Sequence, residues 1–218
     1  MKIIELAVQH FPSYVNALLL TLEATVFSLI IATLSGIIFS LFKMSKNKVL
    51  RGIVAVYLSV IRGTPLMVQI LFIYFGLPMA FGFRWDLTVA CVLIMSLNAG
   101  AYMTELIRGG IESVDKGQME AARSLGLSYP QAMIKVILPQ ATRTMLPSIV
   151  NQVIVTLKDT SLLSVISFRE LTQNTKIIVA NNMEALTMYF ICGLYYWIVV
   201  NILTLLQNNI ERRTKFGK

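Results

Sequence analysis

The stretch GQMEAARSLGLSYPQAMIKVILPQ, residues 117–140, is a polar, glycine-broken segment between two apolar parts of the chain. A helix is predicted to begin after an N-cap at Ser113, with Asp115 favourable in its first turn, and to run to about Leu125. Gly126 can adopt a positive φ and end this helix. The sequence therefore predicts one helix followed by a tight turn.

A second helix is predicted directly after the turn. Ser128 and Gln131 have the spacing of a capping box, and Pro130 is tolerated in a first helical turn. Pro139 predicts the next break. Residues 112–140 are therefore expected to form a compact helix–turn–helix.

The composition of the chain excludes an ordinary soluble domain. Of 218 residues, 56% are hydrophobic and only 14% are charged, and the apolar residues occur in runs of about 20 or more. The net charge of +8 lies in short segments between these runs, which does not favour nucleic-acid binding. Residues 1–218 are therefore predicted to be a single transmembrane domain.

Five helical spans are predicted, which makes the fold class an all-α integral membrane protein. A helix needs about 20 residues to cross a hydrocarbon core of about 30 Å. The second span is interrupted at RGTP and the fourth at KDTS. The predicted spans lie within residues 14–208, at about 14–42, 52–79, 87–107, 146–168 and 188–207.

The basic residues predict the orientation. Thirteen of the 19 Lys and Arg residues lie in residues 43–51, residues 108–145 and the tail after Gln207. Because basic residues accumulate on the cytoplasmic side, these segments are predicted to be inside, with the N-terminus outside. The helix–turn–helix is then cytoplasmic, either as a projecting element or as an amphipathic hairpin on the bilayer.

Charged residues within the fourth span are candidates for a polar pathway. Lys158 and Asp159 are neighbours on a helix, so they point about 100° apart and do not easily pair with each other. Asp159, with the hydroxyls of Thr160 and Ser161, could face the pathway and meet a cationic group of a substrate. The alternative is an interhelical ion pair, with Arg62 or Glu105 as possible partners, and the sequence favours that alternative for Lys158.

Two further sites in the spans carry polar residues. Thr64 lies in the RGTP interruption, which is either a structural kink or a substrate site, the kink being favoured. Asn98 and Glu105 lie seven residues apart, on one face of the third span, and that face could line the pathway. Glu105 could instead pair locally with Arg108, which the sequence slightly favours.

The segment EAARSLGLSYPQAMIKVILP resembles the EAA loop of the permease subunits of ATP-binding-cassette importers. Val136 departs from the isoleucine usual in that motif. Three other stretches, RGTPLMVQILFIYFGLP, SLNAGAYMTELIRGGIESV and LKDTSLLSVI, resemble the polar amino acid branch of the family, so the resemblance covers nearly the whole chain after about Tyr14. The residues that match the loop motif are Glu120, Ala121, Ala122, Gly126, Leu138 and Pro139.

The resemblance implies a type I importer fold and a permease that moves polar amino acids into the cytoplasm by alternating access. The loop would dock on a cytoplasmic ATPase dimer, and a binding protein would deliver substrate from outside. It also implies a second permease subunit, identical or homologous, and a bacterial cytoplasmic membrane location. The amino acid carried and the choice between homodimer and heterodimer stay open.

The chain itself is expected to be non-catalytic. It contains no G-x-x-x-x-G-K-[ST] phosphate loop, so ATP and Mg are expected on the partner subunit and no cofactor on this chain. A single histidine, His10, with no nearby Cys, Asp or second His, favours neither a metal site nor catalysis. The alternative function is an ion-coupled secondary transporter or channel, with Asp159 and Glu105 as coupling carboxylates.

Overall fold

The computed structural model describes residues 2–215, with side chains from Ile3 to Arg212, and every regular element in that range is a helix. Two π-helical turns join α3 to α4 (Phe72–Gly76) and α7 to α8 (Met133–Ile137), and a 3-10 helix (Thr160–Ile166) follows α8. The α-helices are α1 Lys2–Met44, α2 Lys48–Gly63, α3 Leu66–Leu71, α4 Leu77–Phe81, α5 Leu87–Glu112, α6 Lys116–Ser124, α7 Tyr129–Ala132, α8 Leu138–Asp159, α9 Leu171–Asn182 and α10 Ala185–Lys215.

Four stretches of the described residues are long and apolar enough to cross a membrane, and a bent pair gives a fifth. The pair Lys48–Gly63 and Leu66–Phe81 is bent by 108°, so the second predicted span is broken. Thr64 and Pro65 both have extended backbone at the break, inside the predicted RGTP interruption. The all-α membrane fold predicted from the sequence is confirmed, with five spans when this pair counts as one.

The first span is longer than predicted. Helix α1 begins at Lys2 rather than at about Tyr14 and contains Pro12. Leu6 and Ala7 pack against a buried cluster around Tyr14 and Met188, which holds the extra turns on the protein. Burial of these side chains stabilises the additional turns at the start of α1, which the length needed to cross the membrane does not predict.

The fourth span begins at Tyr129 rather than at about Leu146, and the break predicted at Pro139 is wrong. Pro139 lies in the first turn of α8, directly after the π-helical turn Met133–Ile137. Proline lacks the backbone N–H, and a wider turn accommodates the missing hydrogen bond without ending the helix. The second half of the helix–turn–helix therefore runs without a break into a helix that ends at Ile166.

The KDTS sequence changes the type of helix at the far end of this span. Helix α8 ends at Asp159, and Thr160–Ile166 continue as a tighter 3-10 helix. The chain then turns at Ser167, which has a φ of 64°. The predicted interruption in the middle of a span is thus a transition near its end.

Helices α1 and α5 pack closely together, and two glycines permit their approach. A Cβ at Gly36 would lie 2.7 Å from the Cβ of Met103, and one at Gly100 would lie 2.7 Å from the Ser35 hydroxyl. Ala32 is fully buried in the same interface. Small residues at these positions thus allow close contact, as expected for membrane helices.

A buried carboxylate organises the end of the molecule that carries α9, which the orientation predicts to be outside. Glu170 is fully buried and accepts hydrogen bonds from the backbone N–H of Thr172 and Gln173, both 2.7 Å, and from the Tyr196 hydroxyl, 2.8 Å. Burial raises the pKa of this carboxyl, and the donated hydrogen bonds oppose that rise. Glu170 thereby joins the start of α9 to α10.

Candidate coupling segment and polar positions

The first helix of the candidate coupling segment, residues 112–140, begins later than predicted. Asp115 is the N-cap of α6, and its carboxylate accepts a hydrogen bond from the backbone N–H of Gly117 at 2.8 Å. The predicted N-cap at Ser113 is wrong: this residue ends α5, and its hydroxyl donates to the Gly110 carbonyl oxygen. A carboxylate at the cap also interacts favourably with the positive end of the helix dipole, which explains the choice.

The turn forms at Gly126, as predicted. Its φ of +85° lies in the region that only glycine adopts without strain. The backbone N–H of Leu127 donates to the Ala122 carbonyl oxygen at 3.2 Å, and the Arg123 guanidinium donates to the Leu127 carbonyl oxygen at 3.0 Å. These bonds close the end of α6 over a left-handed glycine, the arrangement that stops a helix most sharply.

The second helix starts with the predicted capping box. The Gln131 side-chain oxygen accepts from the Ser128 backbone N–H at 2.9 Å, and the Ser128 side chain accepts from the backbone at Gln131. Pro130 lies in the first turn, where its missing N–H has no intrahelical partner to lose. Both helix ends at the turn are therefore fixed by residues within the segment.

One face of the coupling segment packs against the end of α5. Ile107 and Ile111 of α5 form a buried cluster with Ile137 and Ala141, and Leu138 packs against it. Ala122 is 4% exposed. The motif residue Leu138 thus attaches the segment to the spans, and the motif residue Ala122 is buried.

Three large apolar side chains of the coupling segment are exposed among the described residues. Leu125 is 84% exposed, Tyr129 55% and Ile134 63%. Glu120 and Ala121 are also exposed, and Glu120 makes no hydrogen bond or ion pair with the described residues. The sequence-based interpretation did not include the exposure of these three apolar side chains. A signal was available, because Leu125 and Tyr129 lie directly beside Gly126 and Pro130, which are typical of an exposed turn. An exposed apolar patch with a charge beside it is typical of a protein–protein contact.

Glu105 lies in a cluster of charges rather than alone on the face of α5. Its carboxylate contacts Lys43 Nζ at 2.5 Å, an Arg108 nitrogen at 2.7 Å and an Arg62 nitrogen at 3.9 Å. Arg108 also pairs with Glu112. The local Arg108 pair, one of the two alternatives for Glu105, is therefore present. The Lys43–Glu105 pair ties the ends of α1 and α5 together.

Thr64 and Asn98 are linked through a residue that the sequence analysis missed. The Gln69 amide nitrogen donates to the Thr64 carbonyl and hydroxyl oxygens, both at 3.0 Å, and to the Ile61 carbonyl oxygen at 2.8 Å. The Asn98 amide nitrogen donates to the Gln69 side-chain oxygen at 3.1 Å. Gln69 and Asn98 are both 7% exposed. The network satisfies carbonyls freed by the break at Pro65, so it braces that break.

Asp159, Thr160 and Ser161 stand apart from this network. Asp159 is half-buried, and neither it nor Lys158 forms an ion pair within the described residues, so the proposed pairing with Arg62 or Glu105 is wrong. Those two residues contact each other instead. The Thr160 hydroxyl is buried and donates to the Leu157 carbonyl oxygen at 2.6 Å. It therefore satisfies the local backbone.

A polar face on α8 was also missed. Ser148 and Asn151 are exposed, and with Gln152 they line a cavity of about 370 Å³ that Gln207 and Glu211 of α10 also line. Their spacing places them on one side of the helix, which was the available sequence signal. Polar side chains on an apolar span face protein or water rather than lipid.

Comparison with known proteins identifies similar chains over nearly the whole length. The profile of the family described as "Binding-protein-dependent transport system inner membrane component" matches residues 28–216. The chain is 38% identical to the arginine transport system permease protein of Bacillus subtilis (strain 168), over 95% of each chain. It is 38% identical to the glutamine transport system permease protein of Escherichia coli (strain K12), over 94% of each chain.

Solved structures with the same fold include a close relative. The crystal structure of an amino acid ABC transporter with histidines superposes with a TM-score of 0.89 at 39% identity, over 94% of this chain and 96% of that one. The permease of an inward-facing methionine ABC transporter shares the fold, with a TM-score of 0.70 at 17% identity over 94% and 95% of the two chains. Because the similar systems are binding-protein-dependent and ATP-binding-cassette transporters, the ion-coupled alternative is not favoured.

Proposed function

This chain belongs to the family of binding-protein-dependent transport system inner membrane components, and we propose from that membership that it is the permease subunit of an ATP-binding-cassette importer for polar amino acids. The family places it in the bacterial cytoplasmic membrane, as predicted. The names of the arginine and glutamine permeases support polar amino acids as the substrate class. Import would proceed by alternating access across the membrane.

The exposed apolar face of the coupling segment carries this proposal. Leu125 and Ile134 are exposed apolar side chains that water disfavours, and Glu120 supplies a charge for a basic residue on the partner. The partner that fits is a cytoplasmic ATPase with a groove for a short helix. ATP and Mg would bind to that subunit, because this chain contains no phosphate loop.

The packed face of the segment gives it a route to the spans. Helix α7 runs through the π-helical turn into α8, and the cluster of Ile107 and Ile111 holds the segment against α5. A movement imposed at the Gly126 turn would therefore pass to two spans at once. The six motif residues from Glu120 to Pro139 act in this proposal as coupling residues, the exposed ones by docking and the buried ones by attachment.

A second permease subunit is part of the proposal. Ser148 and Asn151 are exposed on the polar face of α8, and lipid would leave their hydrogen bonds unsatisfied. A second copy or a homologous subunit against this face would enclose a polar pathway between the two chains. An external substrate-binding protein would supply that pathway with its amino acid.

Asp159 remains the strongest candidate for substrate contact, because it is half-buried at a change of helix type and has no ion-pair partner within the described residues. Thr160, Ser161, Asn98, Thr64 and Glu105 stay in the proposed pathway as second-rank candidates, since several already bond within the chain. Asp159→Asn should reduce uptake of labelled amino acid and leave complex assembly intact. Glu23→Gln, an exposed carboxylate on α1, is the control, and equal uptake in both variants would remove Asp159 from the pathway.

The function is tested by co-purification. The tagged chain is extracted from its native membrane in mild detergent, and the proteins that accompany it are identified. We expect an ATPase and a permease to co-purify with the chain. The ATPase should be lost in Glu120→Arg. It should be retained in the control Glu5→Arg, which reverses an exposed charge near the start of α1. A single permease species would indicate a homodimer and two would indicate a heterodimer. A stable chain that purifies alone, without any ATPase, would contradict the proposal.

A further inference from the structure

A groove between α1, α5, the coupling segment and the start of α8 encloses an apolar cavity. Its volume is about 870 Å³. It is lined mainly by Ile37, Met44, Ile111, Met133, Met145 and Ile149. Its wall is therefore hydrocarbon contributed by three separate parts of the chain.

The groove has the length of one membrane leaflet. Its lining on α1 extends from Thr33 to Met44, which is about 17 Å of helix at the standard rise per residue. Half of a hydrocarbon core is about 15 Å. Met44 lies at the end that the basic residues predict to be cytoplasmic, so the groove is expected to lie in the inner leaflet.

The predicted cytoplasmic end of the groove is polar and basic. Ser45 and Lys46 line it there, beside Tyr129 of the coupling segment. The Ser45 hydroxyl oxygen is buried and has no hydrogen-bond partner among the described residues. Lys46 is exposed and forms no ion pair with the described residues, whereas Lys43 is already paired with Glu105. A free cation and an unpartnered hydroxyl thus lie at the level expected for lipid headgroups.

We propose that this groove binds an anionic phospholipid, with an acyl chain along α1 and the headgroup phosphate at Ser45 and Lys46. Basic pockets between helices on the cytoplasmic side bind anionic headgroups. A neutral, purely apolar occupant would leave the buried Ser45 hydroxyl without a partner and would not use the charge of Lys46. The lipid would fill the gap between α1 and the coupling segment, since Tyr129 and Met133 belong to both the groove and the segment.

The inference uses the cytoplasmic placement of the coupling segment, which is part of the proposed function, but its test does not depend on an ATPase. The full complex is reconstituted in nanodiscs that contain a photoactivatable phosphatidylglycerol or, separately, a photoactivatable phosphatidylcholine. Labelled peptides are identified by mass spectrometry. Labelling needs neither ATP nor transport, so a failed ATPase assay would leave this result standing.

We expect phosphatidylglycerol to label residues 33–46 and 129–149 about fivefold more than phosphatidylcholine, because one lysine near the surface favours an anionic lipid by that factor. Lys46→Gln should remove this preference. Lys48→Gln, an exposed lysine two residues on that does not line the groove, should keep it.

A second pair of variants separates the groove from the basic rim. Ile37→Trp should fill the groove and reduce labelling with either lipid, whereas Ile38→Trp, an exposed neighbour outside the groove, should not. Equal labelling by both lipids in the native chain would overturn the proposal. Labelling confined to other surfaces would overturn it too. A cross-link between an Ile37→Cys variant and the second permease would also overturn it, because the groove would then be covered by protein.

Discussion

The coupling segment and the buried end around Glu170 are both held by side-chain hydrogen bonds, but those at the Glu170 end also join residues far apart in the chain. In the coupling segment Asp115 bonds to Gly117, and Ser128 to Gln131. At the other end, Ser13 bonds to Asn174, 161 positions away, and the Tyr14 hydroxyl donates to the Met188 carbonyl oxygen, 174 positions away.

This difference separates two mechanical roles. Local caps fix the shape of the coupling segment through bonds within the segment itself. Long-range bonds at the Glu170 end tie α1, α9 and α10 into one body, so a change there affects several helices together. Substitutions at the two ends should therefore produce different losses.

The largest effect on stability is expected for Glu170→Ala. The substitution leaves two backbone N–H groups and the Tyr196 hydroxyl without their acceptor in a fully buried site. The loss should be about 3 kcal/mol, because each buried unsatisfied donor is costly. It is measured as a lower thermal unfolding midpoint of the purified protein in detergent.

Glu170→Gln is the matched control, because its amide oxygen still accepts one of the three hydrogen bonds. It should recover part of the lost stability. At temperatures where the variants remain folded, both should still retain the ATPase partner. An unchanged unfolding midpoint in Glu170→Ala would show that the hydrogen bonds of Glu170 do not hold this end.

A smaller effect, of about 1–2 kcal/mol, is expected for Gly126→Ala, because a side chain is strained at its φ of +85°. Gly82→Ala is the control, since Gly82 has a φ of +71° and both glycines have open space around a Cβ. The thermal unfolding midpoint should fall by about the same amount in the two variants. Only Gly126→Ala should reduce ATPase retention. Equal retention in both variants would show that the Gly126 turn is not needed for binding the ATPase.

The smallest effect on stability, about 1 kcal/mol, is expected for Asp115→Ala, which removes the N-cap of α6. The loss should appear as faster amide hydrogen exchange in the first turn of α6. Ser113→Ala serves as the comparison, since its hydroxyl lies at the end of α5. If Ser113→Ala accelerates exchange in α6 and Asp115→Ala does not, the observed cap is wrong and the cap predicted from sequence is right.

The features that were predicted correctly from the sequence are those that depend on neighbouring residues. The turn at Gly126, the capping box at Ser128 and the break before Pro65 follow from local backbone chemistry, and all three are present. Span number and fold class follow from the lengths of apolar runs.

The rest depends on partners far away in the chain. Gln69 and Glu170 acquire their roles from Asn98 and Tyr196, which no local pattern connects. Pro139 failed as a helix end because a π-helical turn accommodates it, and the sequence carries no simple signal for that turn.

Exposed leucines at the two ends provide the most direct test of coupling. Leu125 is 84% exposed on the coupling segment and Leu186 is 88% exposed near the start of α10. A photo-crosslinking amino acid is placed at each position in turn, in cells that express the complete transporter. We predict that the position 125 probe captures the ATPase subunit and the position 186 probe does not. Capture of the ATPase from position 186, or from neither position while the complex is intact, would contradict the assignment of residues 112–140 as the coupling element.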